Sequence, residues 1–516
     1  MSSDPHTGQP ALNAVEREIG QIARGAGVGM GGNLINYAIS YLFGILIARQ
    51  VGAGDFGLYT LGVTAVTLIS RFTLMGLDRG LMRFAAISRS RGEGAALQRL
   101  IGLALLAGSA AGVTGGALIW FAPDLILAIL AEANQQALAP LMPYFAFSAP
   151  ALTLTGIAIA GTVAFRTIRY RALVVNVIQP IVKLLIALLL LGILGAVALT
   201  PVIAFTLTQL LGTALALFFL WRLARGVPAA GERPSGLGRQ LARFSLPLLF
   251  TNVLDYLNGR TEILVLGIYL AASASGIYSA AGRLAGLGLI VLTAFNAIFS
   301  PLISDLHARG QIASLATLYK LVTRWIVAAA MPFFVVQMIF APQLMALFGP
   351  DFVAGAGALR LLSLGQLVNF ATGSSGIMLI MSGRSDLTFA NSLITVLLAL
   401  VLDFLLVPGY GLLGAAVAGA LVIALINLLR LAEVWWLMGI HPFAPAFLKP
   451  LLAALPAFIA GWAWLHWLPL RNILFLLAAC VALSLVYLAG LLFLRLDEGD
   501  HLLLAAVRTR LRRFLP

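Results

Sequence analysis

Apolar residues run almost without interruption from Gly29 to Leu496, and short basic turns divide them into pieces of helix length. A bilayer core accommodates roughly 20 apolar residues per helical crossing. The pattern therefore predicts an all-α, polytopic membrane protein with about 14 transmembrane helices. The predicted spans are 29–51, 57–83, 98–122, 141–164, 171–194, 199–222, 244–268, 275–302, 315–341, 353–381, 386–408, 411–438, 447–468 and 472–495.

The composition excludes several classes of protein. Only 10% of the 516 residues are charged and the mean hydropathy is +1.00, which lies far outside the range of soluble domains. The single cysteine, Cys480, excludes a disulfide framework and a CxxC redox pair. We predict no metal site and no cofactor, apart from a coupling ion, H⁺ or Na⁺.

The net charge of +14 is explained by where the basic residues fall. Most of the 33 Lys and Arg lie on alternate connections, and the opposite side holds only Arg49 and Arg471. The positive-inside rule then places both termini in the cytoplasm and requires an even number of spans. This distribution accounts for the charge without a nucleic-acid partner, and it predicts contact with anionic lipid headgroups.

The two halves of the chain share an internal duplication. A shift of 219 residues, from Asn33 to Asn252, lays Asn33-Leu-Ile-Asn-Tyr37 over Asn252-Val-Leu-Asp-Tyr256. The same shift lays Gly57-Leu-Tyr59 over Gly276-Ile-Tyr278. Because it moves the first span onto the seventh, the repeats run in the same direction across the membrane. This predicts two parallel-repeat, six-helix lobes around a central cavity, followed by two C-terminal helices.

The duplication and the polar connections predict the domain organisation. An interfacial cytoplasmic segment precedes the first lobe, a cytoplasmic linker joins the lobes, and a basic amphipathic tail follows the last two helices. The predicted boundaries are 1–28 for the N-terminal segment, 29–223 for the N-lobe, 224–243 for the linker, 244–438 for the C-lobe, 447–495 for the last two helices and 496–516 for the tail.

Unbalanced cations within the predicted spans indicate an anionic ligand. A charge at the bilayer centre is unfavourable by at least about 2.5–3.5 kcal/mol, so each one should face a cavity or a partner. Four cations, of which Arg24 lies just before the first span and the others lie within spans, have no acidic residue at helical spacing and are the candidates for substrate binding: Arg24, Arg71, Lys183 and Arg260. Guanidinium and ammonium groups replace the hydration that a phosphate group loses, which favours a phosphorylated substrate.

Amide side chains form polar stripes beside these cations. Asn176 and Gln179 share a helix face with Lys183, and Asn33 lies in the first span, so all three amides are candidate substrate-binding residues. Span ten carries a further stripe of Gln366, Asn369 and Thr372 near Gly373. The alternative interpretation is that such residues form hydrogen bonds between helices and bind no ligand.

The acidic residues within the spans have a second set of roles. Glu262 and Arg283 lie at similar depth on neighbouring spans and are predicted to form a structural ion pair. Asp78 with Arg79 and Arg83 is predicted to form a charge cluster at the inner boundary. Asp255 and Asp403 are candidates for coupling transport to an ion gradient, with helix–helix hydrogen bonding as the alternative.

Several short motifs resemble one known family. They are Gly52-Ala-Gly-Asp-Phe-Gly-Leu-Tyr59, Gly76-Leu-Asp-Arg-Gly-Leu-Met-Arg83, Phe244-Ser-Leu-Pro247, Gly276-Ile-Tyr-Ser-Ala-Ala-Gly-Arg283, Gly349-Pro-Asp-Phe352 and Met381-Ser-Gly-Arg384. The chain resembles the polysaccharide (O-antigen/exopolysaccharide) flippases of the multidrug/oligosaccharidyl-lipid/polysaccharide exporter superfamily. The resemblance implies fourteen spans, a cationic lumen, and a last pair of helices outside the lobes.

The resemblance also implies the function and the setting. We expect a transporter, not an enzyme, that moves a polyprenyl-diphosphate-linked oligosaccharide across the bacterial inner membrane by alternating access, for O-antigen (lipopolysaccharide), capsule or exopolysaccharide biosynthesis. The expected partners are this lipid-linked substrate, membrane lipids, and a polysaccharide polymerase with chain-length proteins; no nucleic acid is expected.

Two other functional classes are weighed against it. A multidrug/cation antiporter of the same superfamily is the alternative, and it should have twelve spans and an acidic cavity. A polymerase, ligase or glycosyltransferase needs a substantial outer loop with catalytic groups, but the longest outer connection, 122–140, holds only Asp124 and Glu132 as charged residues. The chain also has no GxxxxGK[ST] loop for ATP.

Overall fold

The computed structural model describes residues 9–228, 230, 236–467 and 473–494, with side chains from residue 31 onward. Every regular element in this part of the chain is helical, as predicted. The α-helices are α1 Gln9–Leu74, α2 Leu77–Ser90, α3 Gly94–Phe121, α4 Pro123–Leu127, α5 Glu132–Leu138, α6 Met142–Ala146, α7 Ser148–Ala164, α8 Arg169–Arg171, α9 Gln179–Leu194, α10 Leu199–Arg225, α11 Leu237–Leu257, α12 Thr261–Tyr269, α13 Ala272–Ala285, α14 Leu289–Ala308, α15 Ile312–Ile339, α16 Ala341–Ala346, α17 Ala356–Thr372, α18 Ser375–Met381, α19 Ser385–Met438, α20 Leu448–Trp467 and α21 Ile473–Phe493. Short 3₁₀ turns cover Ala139–Leu141, Gly286–Gly288, Pro350–Gly355 and Pro445–Phe447, and Ala172–Ile178 is a π-helix.

The chain is a multi-pass membrane protein. Among the described residues, ten helices are long and apolar enough to cross a bilayer, and the bent pair Glu132–Ala146 and Ser148–Ala164 raises the number to eleven. Large apolar side chains on these helices remain exposed, such as Phe493 (87%) and Leu189 (63%). Such a surface is compatible with lipid and is rare on a soluble monomer.

The predicted count of fourteen spans is not confirmed. Predicted span one and the larger part of span two lie in the single helix α1, in which only Gly52 leaves the helical conformation (φ 80°, ψ 174°). Spans eleven and twelve likewise lie in α19, which turns at Gly411 (φ 56°, ψ −132°). Both glycines occupy positive φ, which a residue without Cβ adopts readily. The number of crossings therefore depends on how the chain runs at these two glycines.

The predicted seventh span, 244–268, is not a continuous helix. Helix α11 ends at Leu257 and α12 begins at Thr261, and Gly259 between them has φ +75°. The predicted second span is also interrupted, because Met75 and Gly76 both have positive φ between α1 and α2. Unwound backbone within a membrane is tolerated where protein or a cavity surrounds it, so these breaks mark positions of interest.

The chain divides into two compact units, Met1–Gly276 and Ile277–Pro516. The division falls inside α13, whereas the predicted lobes meet at a linker, and the lobe boundaries stay predictions. In the first unit, Leu81, Leu97 and Leu100 are almost fully buried in the core around α2, α3 and α7. In the second, Ile326, Phe340 and Tyr487 belong to the core that α15 forms with α20 and α21.

The duplicated glycines serve close packing within the first unit. A Cβ on Gly57 would overlap the Ala272 carbonyl group, and a Cβ on Gly276 would lie only 2.9 Å from the Gly57 nitrogen. Small residues let backbones approach closely, which is how helices associate in lipid. The glycines that the 219-residue shift superimposes are therefore neighbours in space.

Candidate functional site

Two glycines bring α2 against α11. A Cβ on Gly76 would overlap the Ser245 carbonyl oxygen, and a Cβ on Gly80 would overlap the Ser245 hydroxyl. Gly76 also has φ +68°, which allows the sharp entry into α2. Because the helices approach so closely, the polar residues of α2 lie within reach of those on α11.

Polar pairs then join α2 to α11. Arg79 Nη2 donates to Asp255 Oδ2 over 2.8 Å, and Asn252 Nδ2 donates to Asp78 Oδ1 over 3.1 Å. The charge cluster predicted from Asp78 and Arg79 thus includes Asp255. The sequence had suggested a different role for Asp255, the coupling of transport to an ion gradient. The side chains of Arg79 and Asp255 are 40% and 49% exposed, so this ion pair is accessible to solvent or ligand.

Arg83 completes this helix contact through aromatic rings. Its guanidinium carbon lies 4.5 Å from the Phe244 ring centroid and 5.8 Å from that of Phe84. The two rings meet edge to face at 5.5 Å. Guanidinium groups over aromatic faces are attracted by the ring quadrupole, so Arg83 contributes to packing here.

Tyr256 lies near two of the four cations that are predicted to bind substrate. The Arg71 guanidinium carbon lies 5.8 Å from the Tyr256 ring centroid, and Arg260 is a further electrostatic neighbour of this tyrosine. The Tyr256 hydroxyl is anchored, since it donates to the Thr64 carbonyl over 3.1 Å. Arg71 and Arg260 are distant in sequence but converge because α1 packs against α11.

Both arginines retain groups that a ligand can use. Arg71 Nε is buried and has no hydrogen-bond partner in the part of the chain that the structure describes. A buried donor of this kind costs free energy unless it is satisfied. Arg260 is exposed and lies at the break between α11 and α12, immediately before α12 begins. Together they present positive charge and, on Arg71, a buried donor without a partner among the described residues, which suits an anionic group.

Lys183 lies against an aromatic ring on another helix. Its Nζ is 4.4 Å from the ring centroid of Phe43, which is 1% exposed. A desolvated cation–π contact is worth up to about 2 kcal/mol, which offsets part of the penalty for placing this ammonium group in the bilayer. The predicted substrate-binding role of Lys183 stays a prediction.

The predicted amide residues bond to one another between helices. Asn176 Nδ2 donates to Asn33 Oδ1 over 2.8 Å, and Gln179 Nε2 donates to Gln209 Oε1 over 3.1 Å. These bonds agree with the alternative interpretation, in which the stripes join helices. Asn176 also lies in the π-helix Ala172–Ile178, a distortion that is frequent at functional sites. Their contact with substrate stays a prediction.

The remaining predicted residues are not brought into this cluster by the described contacts. Glu262 is buried (4%) in α12, but Arg283 belongs to the second unit, so their ion pair stays a prediction. Asp403 is fully buried in α19 of the second unit. The side chain of Arg24 lies outside the described residues, although its backbone belongs to α1.

Two residues of this region were not predicted to take part in a site. Tyr256 and Asn252 belong to the duplicated segment Asn252-Val-Leu-Asp-Tyr256, so the repeat was the available signal. Within the described residues, no group of three or more His, Cys, Asp or Glu side chains is placed to hold a metal ion.

Comparison with known proteins places the chain in context. Residues 22–307, more than half of the chain, match the family model described as polysaccharide biosynthesis protein. The probable low-salt glycan biosynthesis flippase Agl15 of Haloferax volcanii is 22% identical over 212 residues. That match covers 41% of this chain and 45% of Agl15, so it spans less than half of the relative's length.

Solved structures share the fold over a larger part of the chain. The lipid II flippase MurJ in an inward-closed conformation aligns with a TM-score of 0.69 and 16% identity, covering 89% of this chain and 96% of that one. An inward-facing multidrug resistance MATE family transporter of the MOP superfamily aligns with a TM-score of 0.65 and 14% identity, covering 80% and 98%. At such identities the likeness concerns the fold.

Proposed function

Because this chain belongs to the polysaccharide flippase family of the multidrug/oligosaccharidyl-lipid/polysaccharide exporter superfamily, we propose that it translocates a polyprenyl-diphosphate-linked oligosaccharide across a membrane. The observation that carries this proposal is the convergence of Arg71 and Arg260 on Tyr256. The flippase names of Agl15 and MurJ support the same substrate class.

The chemistry of the head group explains why this cluster suits it. A diphosphate offers several anionic oxygens and loses hydration when it enters the bilayer region. Guanidinium groups replace that hydration with charge-assisted hydrogen bonds, each worth about 1.5–3 kcal/mol. The buried Nε of Arg71, which has no partner in the described part of the chain, gains an acceptor when such a head group binds. The polyprenyl tail remains in lipid, which the exposed apolar helix surfaces tolerate.

The proposed setting follows the distribution of charge. We place the protein in a bacterial inner membrane with both termini in the cytoplasm, serving O-antigen, capsule or exopolysaccharide synthesis by alternating access. A polymerase and chain-length proteins are the proposed partners. Ion coupling through Asp255 or Asp403 is tested by measuring transport in Asp255→Asn and Asp403→Asn variants under imposed H⁺ and Na⁺ gradients.

The multidrug/cation antiporter is the second candidate, since a MATE transporter shares the fold. Its cargo is a cation, and the pair of arginines around Tyr256 repels cations. Proteoliposomes loaded with an organic cation dye distinguish the two functions. Efflux of the dye against its gradient, without movement of lipid-linked sugar, would favour the antiporter.

The direct test is reconstituted transport. Proteoliposomes carry an undecaprenyl-diphosphate-linked oligosaccharide, and a membrane-impermeant glycosidase reports how much reaches the outer leaflet. We expect Arg71→Gln and Arg260→Gln each to lower the rate by at least about tenfold, the effect of losing one charge-assisted hydrogen bond. Arg309→Gln is the matched control, because Arg309 is exposed and pairs with Asp305 on the same helix turn. Wild-type rates in the Arg71→Gln/Arg260→Gln double variant would overturn the site assignment.

A further inference from the structure

The second unit contains a cavity of about 230 Å³, lined by both polar and apolar residues, that the proposed head-group site does not use. It includes Asn369 of the polar stripe in span ten and the nearby Gly373, and the sequence alone assigns no ligand to this stripe. Helices α14, α17, α18 and α19 contribute its walls. The polar lining residues are Asn296, Asn369, Ser374, Thr388, Asn391, Asn427 and Arg430.

Asn391 presents an unsatisfied acceptor in this cavity. It is 1% exposed, and its Nδ2 donates to Glu433 Oε2 over 2.7 Å. This bond directs the amide, and Asn391 Oδ1 is left buried without a hydrogen-bond partner among the described residues. A buried acceptor in this state costs free energy, so a ligand that donates a hydrogen bond to it is stabilised.

Two further amides also keep their oxygens for a ligand. Asn369 Nδ2 donates to Gln366 Oε1 over 3.0 Å, and Asn427 Nδ2 donates to the Ile423 carbonyl over 2.8 Å. Because the protein uses the amide nitrogens, the oxygens of Asn369 and Asn427 are the acceptors that remain. The cavity therefore favours a ligand that carries several hydrogen-bond donors.

Arg430 supplies donors of its own in the same cavity. Its half-buried guanidinium has no hydrogen bond or ion pair within the part of the chain that the structure describes. Glu433 follows three residues later on α19 and is its electrostatic neighbour. The nearby carboxylate compensates the positive charge, which disfavours a phosphate dianion, while the guanidinium disfavours a bare cation.

We propose that this cavity is a binding site for a single uncharged sugar ring of the transported glycan, an inference that rests on the proposed function. A hydroxyl group both donates and accepts, so a ring of hydroxyls satisfies the amide oxygens and Arg430 together. The volume lies below the roughly 300 Å³ at which pockets for drug-sized ligands begin, which fits one ring and excludes an oligosaccharide. Asn391 lies near the start of α19 and Arg430 lies near its end. The predicted topology places both ends of this helix on the cytoplasmic side.

Gly376 allows the cavity to be filled without disturbing its walls. The three atoms nearest to a Cβ at this position all belong to the Arg430 side chain, at 3.6 Å or more, which is ordinary van der Waals contact. Gly376→Ala is therefore compatible with the packing, whereas the longer side chain of Gly376→Leu extends into the space. Gly192→Leu is the matched control, because a Cβ there has nothing within 4 Å.

The experiment uses the full-length protein in nanodiscs and saturation-transfer NMR with free glucose, galactose, mannose, N-acetylglucosamine and glucuronate. We expect at least one neutral sugar to bind the wild type, Gly376→Ala and Gly192→Leu, and to lose binding about tenfold or more in Gly376→Leu and Arg430→Gln. Thermal unfolding checks that each variant is folded. If Gly376→Leu does not fold, Arg430→Gln still tests the proposal.

A separate measurement distinguishes this site from the proposed head-group site. Binding of sugar-free undecaprenyl diphosphate should weaken in Arg71→Gln and stay unchanged in Gly376→Leu. If no neutral sugar binds the wild type, if glucuronate alone binds, or if Gly376→Leu and Arg430→Gln bind as the wild type does, the sugar site is overturned. Sodium binding that Asn391→Ala abolishes, without sugar binding, would overturn it in favour of a cation site. If Arg71→Gln binds undecaprenyl diphosphate as tightly as the wild type does, while sugar binding is as expected, the result counts against the head-group site and not against the sugar site.

Discussion

Arg79 donates to the carboxylate of Asp255 over 2.8 Å, and so joins helices α2 and α11 across 176 residues of chain. The contact depends on Gly76 and Gly80, where any Cβ would collide with the facing helix. A carboxylate proposed to carry an ion is thus held by an arginine. A coupling ion at Asp255 has to compete with Arg79, because the guanidinium group already bonds to one of the carboxylate oxygens.

The strength of this pair can be measured by a double-mutant cycle. Because both side chains are partly exposed, we expect a coupling energy of about 0.2–1 kcal/mol between Arg79→Gln and Asp255→Asn. Thermal unfolding in detergent, followed for the two single variants and the double variant, provides the energies. Strictly additive effects would show that the pair contributes nothing to stability.

Tyr256 should matter more for its ring than for its hydroxyl. Tyr256→Phe removes the hydrogen bond to Thr64, a net loss of about 1 kcal/mol, and keeps the face beneath Arg71. Tyr256→Leu removes both and should lower transport several-fold further. Transport assays on the two variants, with expression measured in parallel, provide the comparison. Equal activity of the two would show that the ring does not position Arg71.

Gly57 should tolerate no side chain. Gly57→Ala places a methyl group in the backbone of Ala272, and overpacking of this kind typically destabilises by about 1–3 kcal/mol. Gly54→Ala is the matched control three residues earlier, since a Cβ there has nothing within 4 Å. We expect a lower unfolding temperature only for Gly57→Ala. Equal unfolding temperatures would mean that the packing of α1 on α13 is looser than described.

Asn134 should hold the connection 122–140, which the predicted topology places outside, against the turn after α12. Its Nδ2 donates to the Gly267 and Leu270 carbonyls, and its Oδ1 accepts from the Ala272 amide, at 2.7–2.8 Å. Since Asn134 is 2% exposed, Asn134→Ala leaves buried backbone groups unpaired, at a cost of about 1–3 kcal/mol each.

The matched control for this prediction lies on the same helix. Gln136 has an exposed hydrogen bond to Glu132 at 3.4 Å, so Gln136→Ala should leave stability within about 0.5 kcal/mol of the wild type. Proteolysis of the outer connection in intact cells or proteoliposomes reports its attachment. Resistance of Asn134→Ala to an outside protease, at the wild-type level, would contradict the prediction.

The sequence predicted the helical class and the cationic character of the site but not the partners of individual residues. Hydropathy and helical spacing are local properties, so the apolar runs and the unbalanced Arg71 and Arg260 were visible in one dimension. The Arg79–Asp255 pair was not, because its members lie 176 residues apart and each has other charges closer in sequence. The break at Gly259 was also missed, since apolar residues continue on both sides of it.

The amino-acid sequence by itself determined that this is a membrane protein, because the free energy of transferring side chains into lipid is nearly a sum over residues. It also predicts an internal duplication, because matching residues recur at a constant shift. Tertiary structure decided which polar groups meet, because hydrogen bonds and ion pairs act over a few ångströms. Only the packing of α11 against α1 and α2 brings Tyr256 to Arg71 and Asp255 to Arg79.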